Sequence, residues 1–254
     1  MQLPRSRALE PALEWLTETG STNAVLAERA GRGEAADFAV IATDSQTAGR
    51  GRLGRQWTAP PGTSLAVSVL VPVRGIDSER LGWVGLAAGL AMTRAVAQLL
   101  PGAEVGLKWP NDVQINGLKA AGLLAEYVPA AEAVVMGAGL NLTMTEEELP
   151  VPTATSLSLH GAASEGLLDA ALAGYLRQLR ALTTALAAGD GEVPDAVRAA
   201  CTTLGREVRV QLPDGSTLLG RADDIDDGGR LVVRPEDAAA VHVAAGDVEH
   251  VRVE

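Results

Sequence analysis

Apolar positions along the chain fall into runs of two kinds, continuous and periodic. The stretches at 64–73 (S-L-A-V-S-V-L-V-P-V) and 134–142 (V-V-M-G-A-G-L-N-L) are almost unbroken, and the first is rich in β-branched residues. Runs of that length and continuity predict strands buried on both faces of a sheet. Leu168, Leu172, Tyr175, Leu179, Leu182 and Leu186 recur at helical spacing, which predicts an amphipathic helix with Ser164 as its cap. A long helix through Leu100, capped by Asp77 or Ser78, is apolar on most sides and stops at Pro101-Gly102, so it must pack deeply. Shorter signals predict a strand starting at Trp15-Leu16, a helix over 24–30 that ends at Gly31, and a strand over 38–43. Either Ser21 or Thr22 can cap that first helix. Residues 113–115 and 118–128 flank Asn116-Gly117, the strongest short hairpin signal in the chain. A short helix is expected over 194–203, and residues 1–13, without a period, read as a tail.

From Leu204 the texture changes. Short alternating stretches at 207–212, 217–225, 231–234 and 241–253 are separated by Pro-Asp-Gly and Asp-Asp-Gly-Gly turns, the pattern of a small β-barrel. The chain therefore divides into 1–203 and 204–254, and 254 residues suit one good-sized domain with a small module.

Nearly half the residues are apolar but only seven are aromatic, so the core is built from Ala, Val, Leu and Gly. The net charge of −11 argues against non-specific nucleic-acid binding, which needs many phosphate-facing cations. A lone cysteine, Cys201, excludes a disulfide framework and reads as a buried hydrophobe. His160, His242 and His250 have no metal-ligand spacing. No apolar stretch reaches membrane-spanning length and no signal peptide opens the chain, so a soluble cytoplasmic protein is expected.

Two stretches carry chemistry. The first, Q-T-A-G-R-G-R-L-G-R-Q-W from Gln46 to Trp57, sets Arg50, Arg52 and Arg55 among Gly49, Gly51 and Gly54. Glycines permit close backbone approach and guanidiniums supply forked donors, so the loop is suited to wrapping an anion. Gly49 to Gly54 fits G-x-G-x-x-G, but arginines fill its gaps and Thr58-Ala-Pro-Pro-Gly follows where a dinucleotide fold needs a helix. Kinase and P-loop signatures are absent as well. In the second stretch, Lys108-Trp109-Pro110-Asn111-Asp112, the proline forbids a helix and places Lys108, Asn111 and Asp112 at a strand end or turn. By position alone, Ser21-Thr22-Asn23 serves equally as a helix cap or as a polar ligand contact, and Lys119 reads as a solvated edge charge.

Ser21-Thr22-Asn23, Gln46 with G-R-G-R-L-G-R, K-W-P-N-D, Lys119-Ala-Ala-Gly122 and Gly137-Ala-Gly-Leu-Asn141 together resemble the biotin protein ligase family, in order from about residue 15 to the C-terminus. The resemblance implies an α+β protein: a catalytic domain like class II aminoacyl-tRNA synthetases, with a mixed sheet flanked by helices, and a C-terminal SH3-like β-barrel. It implies formation of biotinyl-5′-AMP from biotin and ATP, then transfer to a lysine of a biotin carboxyl carrier domain of acetyl-CoA or acyl-CoA carboxylase. Under it, Ser21, Thr22, Asn23 and Gln46 hold biotin, the Gly49-Arg50-Gly51-Arg52 stretch closes over the ligand, and Lys119 and Arg52 are catalytic, Lys119 bridging carboxylate and phosphate. Lys108, Arg52, Arg55, Trp57, Asn111 and Asn141 would hold the nucleotide and Asp112 would help hold Mg²⁺. Leu53 and Ala120 depart from the family pattern, where an arginine and a larger apolar residue are usual. About twenty residues precede Ser21, too few for the winged helix of DNA-binding members, so a monofunctional enzyme is expected, without DNA or membrane partners and as a monomer or weak homodimer. A lipoate ligase-like enzyme and a non-catalytic biotin-binding regulator are the alternative readings.

Overall fold

The computed structural model of the chain describes residues 1–251. The first part of the chain runs α1 (Pro4–Leu9), β1 (Glu14–Trp15), α2 (Thr22–Gly31), β2 (Val40–Thr43), β3 (Gly49–Arg50), β4 (Gln56–Trp57), β5 (Ser64–Pro72) and α3 (Gly82–Leu99). It continues with β6 (Val105–Lys108), β7 (Asp112–Ile115), β8 (Leu118–Val128), β9 (Ala133–Asn141), α4 (Leu167–Ala187) and α5 (Glu192–Ala200). The last part contains β10 (Glu207–Gln211), β11 (Thr217–Ile225), β12 (Leu231–Arg234), β13 (Val241–Val243) and β14 (Asp247–His250). Expected strand residues beyond 251 lie outside the described ones.

Seven strands form a mixed sheet in the order β1-β2-β5-β9-β8-β7-β6, in which β1 runs parallel to β2 and the other neighbours are antiparallel. The two continuous apolar runs lie side by side as β5 and β9, paired from Ser64 opposite Asn141 to Pro72 opposite Ala133. Side chains alternate along a strand, so each run feeds two cores. Leu65, Val67, Val69 and Val71, with Val134, Met136, Ala138 and Leu140, join the main core beneath α3 and α4. Leu70, Ala133 and Val135 face the other way and pack with Leu26 and Ala30 of α2.

Helix α2 is only ten residues long and covers one end of that second face. Beyond it, the outward positions are Gly122 and Leu124 on β8 and Gly137, Gly139 and Asn141 on β9, a strip in which three of five positions are glycine. The hairpin of β3 and β4, formed by the arginine stretch, lies over this strip.

The Asn116-Gly117 turn forms as expected, with both residues at positive φ (50° and 81°). Three expectations are corrected. Asp77 caps only a short 3₁₀ turn over Ser78–Arg80, accepting from Glu79 N (3.0 Å), and α3 begins after Leu81, which supplies no side-chain cap. Residues 1–13 are not a tail: Leu3 and Leu13 are buried, and Ser6 of α1 donates to Asp169 on α4 through its hydroxyl (2.7 Å) and its amide (3.0 Å). Short prolines and charges concealed this, because the apolar anchors belong to a helix of barely two turns. Ser164 does not cap α4 either; the N-cap is Gly166 at φ 66°, and the chain reaches the helix through a turn closed by Leu167 N donating to Ser164 O.

The C-terminal strands form an antiparallel sheet ordered β13-β12-β11-β10-β14. Its β11–β12 turn is held by two indoles: Trp83 Nε1 donates to Asp227 O (2.8 Å) and Trp109 Nε1 to Gly229 O (3.2 Å). Among the described residues no helix is long and apolar enough to cross a membrane.

Candidate active site

The glycine strip and the arginine hairpin enclose a cavity of about 120 Å³. Its floor is β8 and β9 at Gly122, Leu124, Gly137 and Gly139. One end is the first turn of α2, and its roof carries Arg50, Arg52, Arg55 and Trp57. Gly122 and Gly139 are direct cross-strand partners. The Trp57 ring sits on both: a Cβ on Gly139 would stand 2.6 Å from Cζ2, and one on Gly122 3.5 Å from Cζ3. Roof and floor meet there without a side chain between them. Trp57 Nε1 is buried and has no partner among the described residues. An orphaned buried donor costs roughly 1 to 3 kcal/mol, so this position calls for an acceptor from a ligand.

At the α2 end, Ser21 caps the helix by accepting from Ala24 N (3.4 Å). Gln46 reaches in from the strand-to-hairpin loop, and its Oε1 accepts from Thr22 N (2.9 Å) and Thr22 Oγ1 (3.2 Å). That occupancy fixes the amide orientation and leaves Nε2 packed against Gly49. Gly49 itself stands behind the wall, where a Cβ would meet the Trp57 backbone and the Gln46 amide. Gly51 lines the cavity through its backbone. Asn23 is nearly fully used by the protein: Oδ1 accepts from Ser68 Oγ (2.6 Å), and Nδ2 donates to Glu126 Oε2 (2.6 Å) and Leu124 O (3.3 Å).

Cations dominate the rest. Lys119 lines the cavity and pairs with Asp112 (Nζ to Oδ1, 2.7 Å). Its backbone is clamped on both sides by the following loop, Lys119 N donating to Thr153 O and Thr155 N to Lys119 O, each at 2.8 Å. Arg52 donates to Asn111 Oδ1 (3.0 Å) and approaches Gly246 O (3.4 Å), while Asn111 Nδ2 donates to Leu123 O (2.9 Å). Burial pushes the Arg52 pKa down, with Asp247 and Asp112 opposing and Arg55 adding to it. Arg55 pairs with Asp247 (2.5 Å) and Arg50 with Glu126 (3.0 Å). The roof is thus tied at three points, to β8, to the turn before β7 and to the start of β14.

Besides Gly49, three sequence-predicted residues do not line the cavity: Asp112, which reaches it only through its pair with Lys119, and Asn141 and Lys108. Asn141 is buried beyond the cavity, and its Nδ2 donates to Thr155 O (2.9 Å), holding the loop that clamps Lys119. Lys108 lies toward the C-terminal sheet, its pKa lowered by burial against the opposing pull of Asp112. Beside it His250 is held down to about 4 by burial, with Lys108 and Arg206 adding to the effect. Sequence reasoning missed Glu126, Ser68 and Asp247. Period-2 alternation from Gly122 through Leu124 points to Glu126 once β8 is known to floor the site; Ser68 and Asp247 had no local signal.

Asp112 is the carboxylate paired with Lys119, and among the described residues no three carboxylate, histidine or cysteine side chains cluster as a metal cage. The donor set does not build a resident metal site. It fits a divalent ion entering with a polyphosphate, since Mg²⁺ is commonly held by one or two carboxylates plus phosphate oxygens.

Residues 15–141 match the biotin/lipoate A/B protein ligase family, and residues 203–251 match the biotin protein ligase C terminal domain. The chain is 44% identical over 242 residues to a biotin–[acetyl-CoA-carboxylase] ligase of Mycobacterium tuberculosis, covering 94% of this chain and 89% of that one. It is 33% identical to the enzyme of the same name from Paracoccus denitrificans, over 86% of this chain and 92% of the other. A biotin protein ligase from Aquifex aeolicus, solved with biotin and ATP, superposes with a TM-score of 0.78 at 24% identity, covering 95% of this chain and 99% of that one.

Proposed function

The chain belongs to the biotin/lipoate A/B protein ligase family, and from that premise we infer its reaction: ATP-dependent attachment of biotin to a lysine of an acetyl-CoA carboxylase. In the first step the biotin carboxylate attacks the α-phosphate of ATP, giving biotinyl-5′-AMP and pyrophosphate. In the second, the acceptor amine attacks the acyl carbon, forming the amide and releasing AMP. The match over 203–251 is to the biotin-ligase C-terminal domain, which favours biotin over lipoate.

The observation that carries the reading is the convergence of Lys119, Arg52 and Arg55 on one glycine-floored cavity that also holds an unpaired indole donor. Both steps develop negative charge on oxygen, and cations fixed beforehand stabilise it without reorganising. We assign biotin's ring system to the Ser21, Thr22 and Gln46 end and its carboxylate to Lys119, because the first offers neutral hydrogen-bonding groups and the second a cation. The nucleotide then lies toward Trp57, Arg55 and Asn111. Asp112 would hold Mg²⁺ arriving with ATP. When bound, that ion neutralises charge on the polyphosphate. Lys119 Nζ carries three donors, so it can keep Asp112 while another donor reaches the reacting oxygens, and the pair holds the lysine in place. Lys108 and Asn141, outside the cavity, act as supports: one beside Asp112, the other behind the Lys119 clamp. Closure of the roof would shield the anhydride from water. We propose a biotin carboxyl carrier domain as the acceptor.

Biotin-dependent exchange of pyrophosphate into ATP, with lipoate run in parallel, tests the first step. Exchange with biotin and none with lipoate is the expected result; exchange with lipoate alone, or none with either, overturns the reading.

A further inference from the structure

Glu126 stands on β8 two residues beyond Leu124, at the α2 end of the cavity. Its Oε2 accepts from two groups that approach from opposite sides. Asn23 Nδ2 reaches it from the first turn of α2 at 2.6 Å, and Arg50 Nη2 from the roof at 3.0 Å. Asn23 belongs to the floor: it is 4% exposed, it lies so close on Gly137 that an added Cβ would stand 2.7 Å from its Cγ, and Ser68 fixes its carbonyl oxygen. Both amide hydrogens of Asn23 are spent on Glu126 and Leu124 O. Asn23 therefore has no donor left for a substrate, and its strongest contact is with the carboxylate that also holds the roof.

We propose that Glu126 is a positioning residue for biotin binding, registering the arginine roof on the asparagine floor at the end of the cavity that receives the uncharged ring system. The assignment rests on the biotin-ligase reading. A carboxylate suits the task because it can accept from two donors through one oxygen and binds a guanidinium more strongly than a neutral amide would. The other two roof ties, at Asn111 and Asp247, lie at the nucleotide end, so Glu126 acts on biotin selectively.

The test compares wild type, Glu126→Gln, Arg50→Ala and the double variant by steady-state pyrophosphate exchange, with thermal melting alongside. Biotin-dependent exchange by the wild type is required first, and its absence counts against the reaction itself rather than against Glu126. Glu126→Gln keeps an acceptor for Asn23 and removes the charge that holds Arg50. The expected result is a KM for biotin raised roughly three- to ten-fold, the range of a partly exposed ion pair with a charge-assisted bond. The KM for ATP and kcat should stay within about two-fold, because uniform loss of ground-state binding appears in KM alone. In the Arg50→Ala protein the same substitution should change the KM for biotin by less than about two-fold, since coupled residues are non-additive. An unchanged KM in Glu126→Gln overturns the proposal. So does an effect that persists undiminished without Arg50, or one that moves kcat, both KM values and the melting temperature together, because each would leave Glu126 a structural residue only.

Discussion

The indole of Trp57 lies directly on the backbone of Gly139, so close that a Cβ there would stand 2.6 Å from Cζ2. This contact sets the roof height of the cavity, which Gly139 also floors. Gly139→Ala should lift the roof hairpin and lower pyrophosphate exchange by at least about ten-fold, with a stability cost of about 1 to 3 kcal/mol, as for other overpacked sites. The double variant with Trp57→Ala distinguishes the cause. Removing the indole relieves the clash, so the double variant should be no less active than Trp57→Ala alone.

Lys119→Ala should lower the rate of adenylate formation by ~10²- to 10³-fold, the usual cost of losing one preorganised donor to developing charge. Its effect on stability should stay within about 1 kcal/mol, because the pair with Asp112 is partly exposed, at 37% and 22% for the two side chains. Single-turnover formation of biotinyl-5′-AMP measures the first and urea unfolding the second. Near-wild-type adenylate formation would return Lys119 to an edge charge.

Arg52→Gly removes the tie to Asn111 and the approach to Gly246 while keeping the loop flexible. A charge-assisted bond to the intermediate is worth roughly 1.5 to 3 kcal/mol, so biotinyl-5′-AMP should escape about ten- to a hundred-fold faster. The readout is acceptor-independent biotinylation of lysines on a bystander protein, compared with wild type. Equal retention of the intermediate would show the guanidinium to be solvated in the complex.

The N-terminal segment should make stability sensitive to acid through Asp169. Burial raises its pKa, but the Ser6 hydroxyl and the amides of Arg5 and Ser6 outweigh that, and the net shift is downward from the ordinary value of 3.8. A carboxylate with a depressed folded-state pKa contributes stability that is present above its unfolded value and lost as pH falls through the folded one. Wild type should therefore lose this contribution below pH 3.8, and Asp169→Ala should lack it at neutral pH. Leaving those donors unpaired should cost about 1 to 3 kcal/mol by urea unfolding at pH 7. Equal stability of variant and wild type at neutral pH would mean that α1 is not held through this carboxylate.

Local pattern determined much of this protein. Continuous apolar runs specified β5 and β9, helical spacing specified α4, and Asn116-Gly117 specified the β7–β8 turn, because each depends on side-chain periodicity or backbone permissiveness within a few residues. The reactive stretches were legible too, since closely spaced arginines, glycines and the K-W-P-N-D turn have few structural uses. Tertiary structure alone decided which of those residues meet. Lys108 and Asn141 sit beside the cavity rather than in it, since a motif gives a residue's neighbourhood but strand register and burial give its side chain's direction. Glu126, Ser68 and Asp247 became visible only once β8, β5 and the C-terminal sheet were brought against the roof and floor. The same holds for the N-terminal helix, whose two turns cannot persist in isolation and form against α4, where a carboxylate more than a hundred and sixty residues away satisfies its first amides.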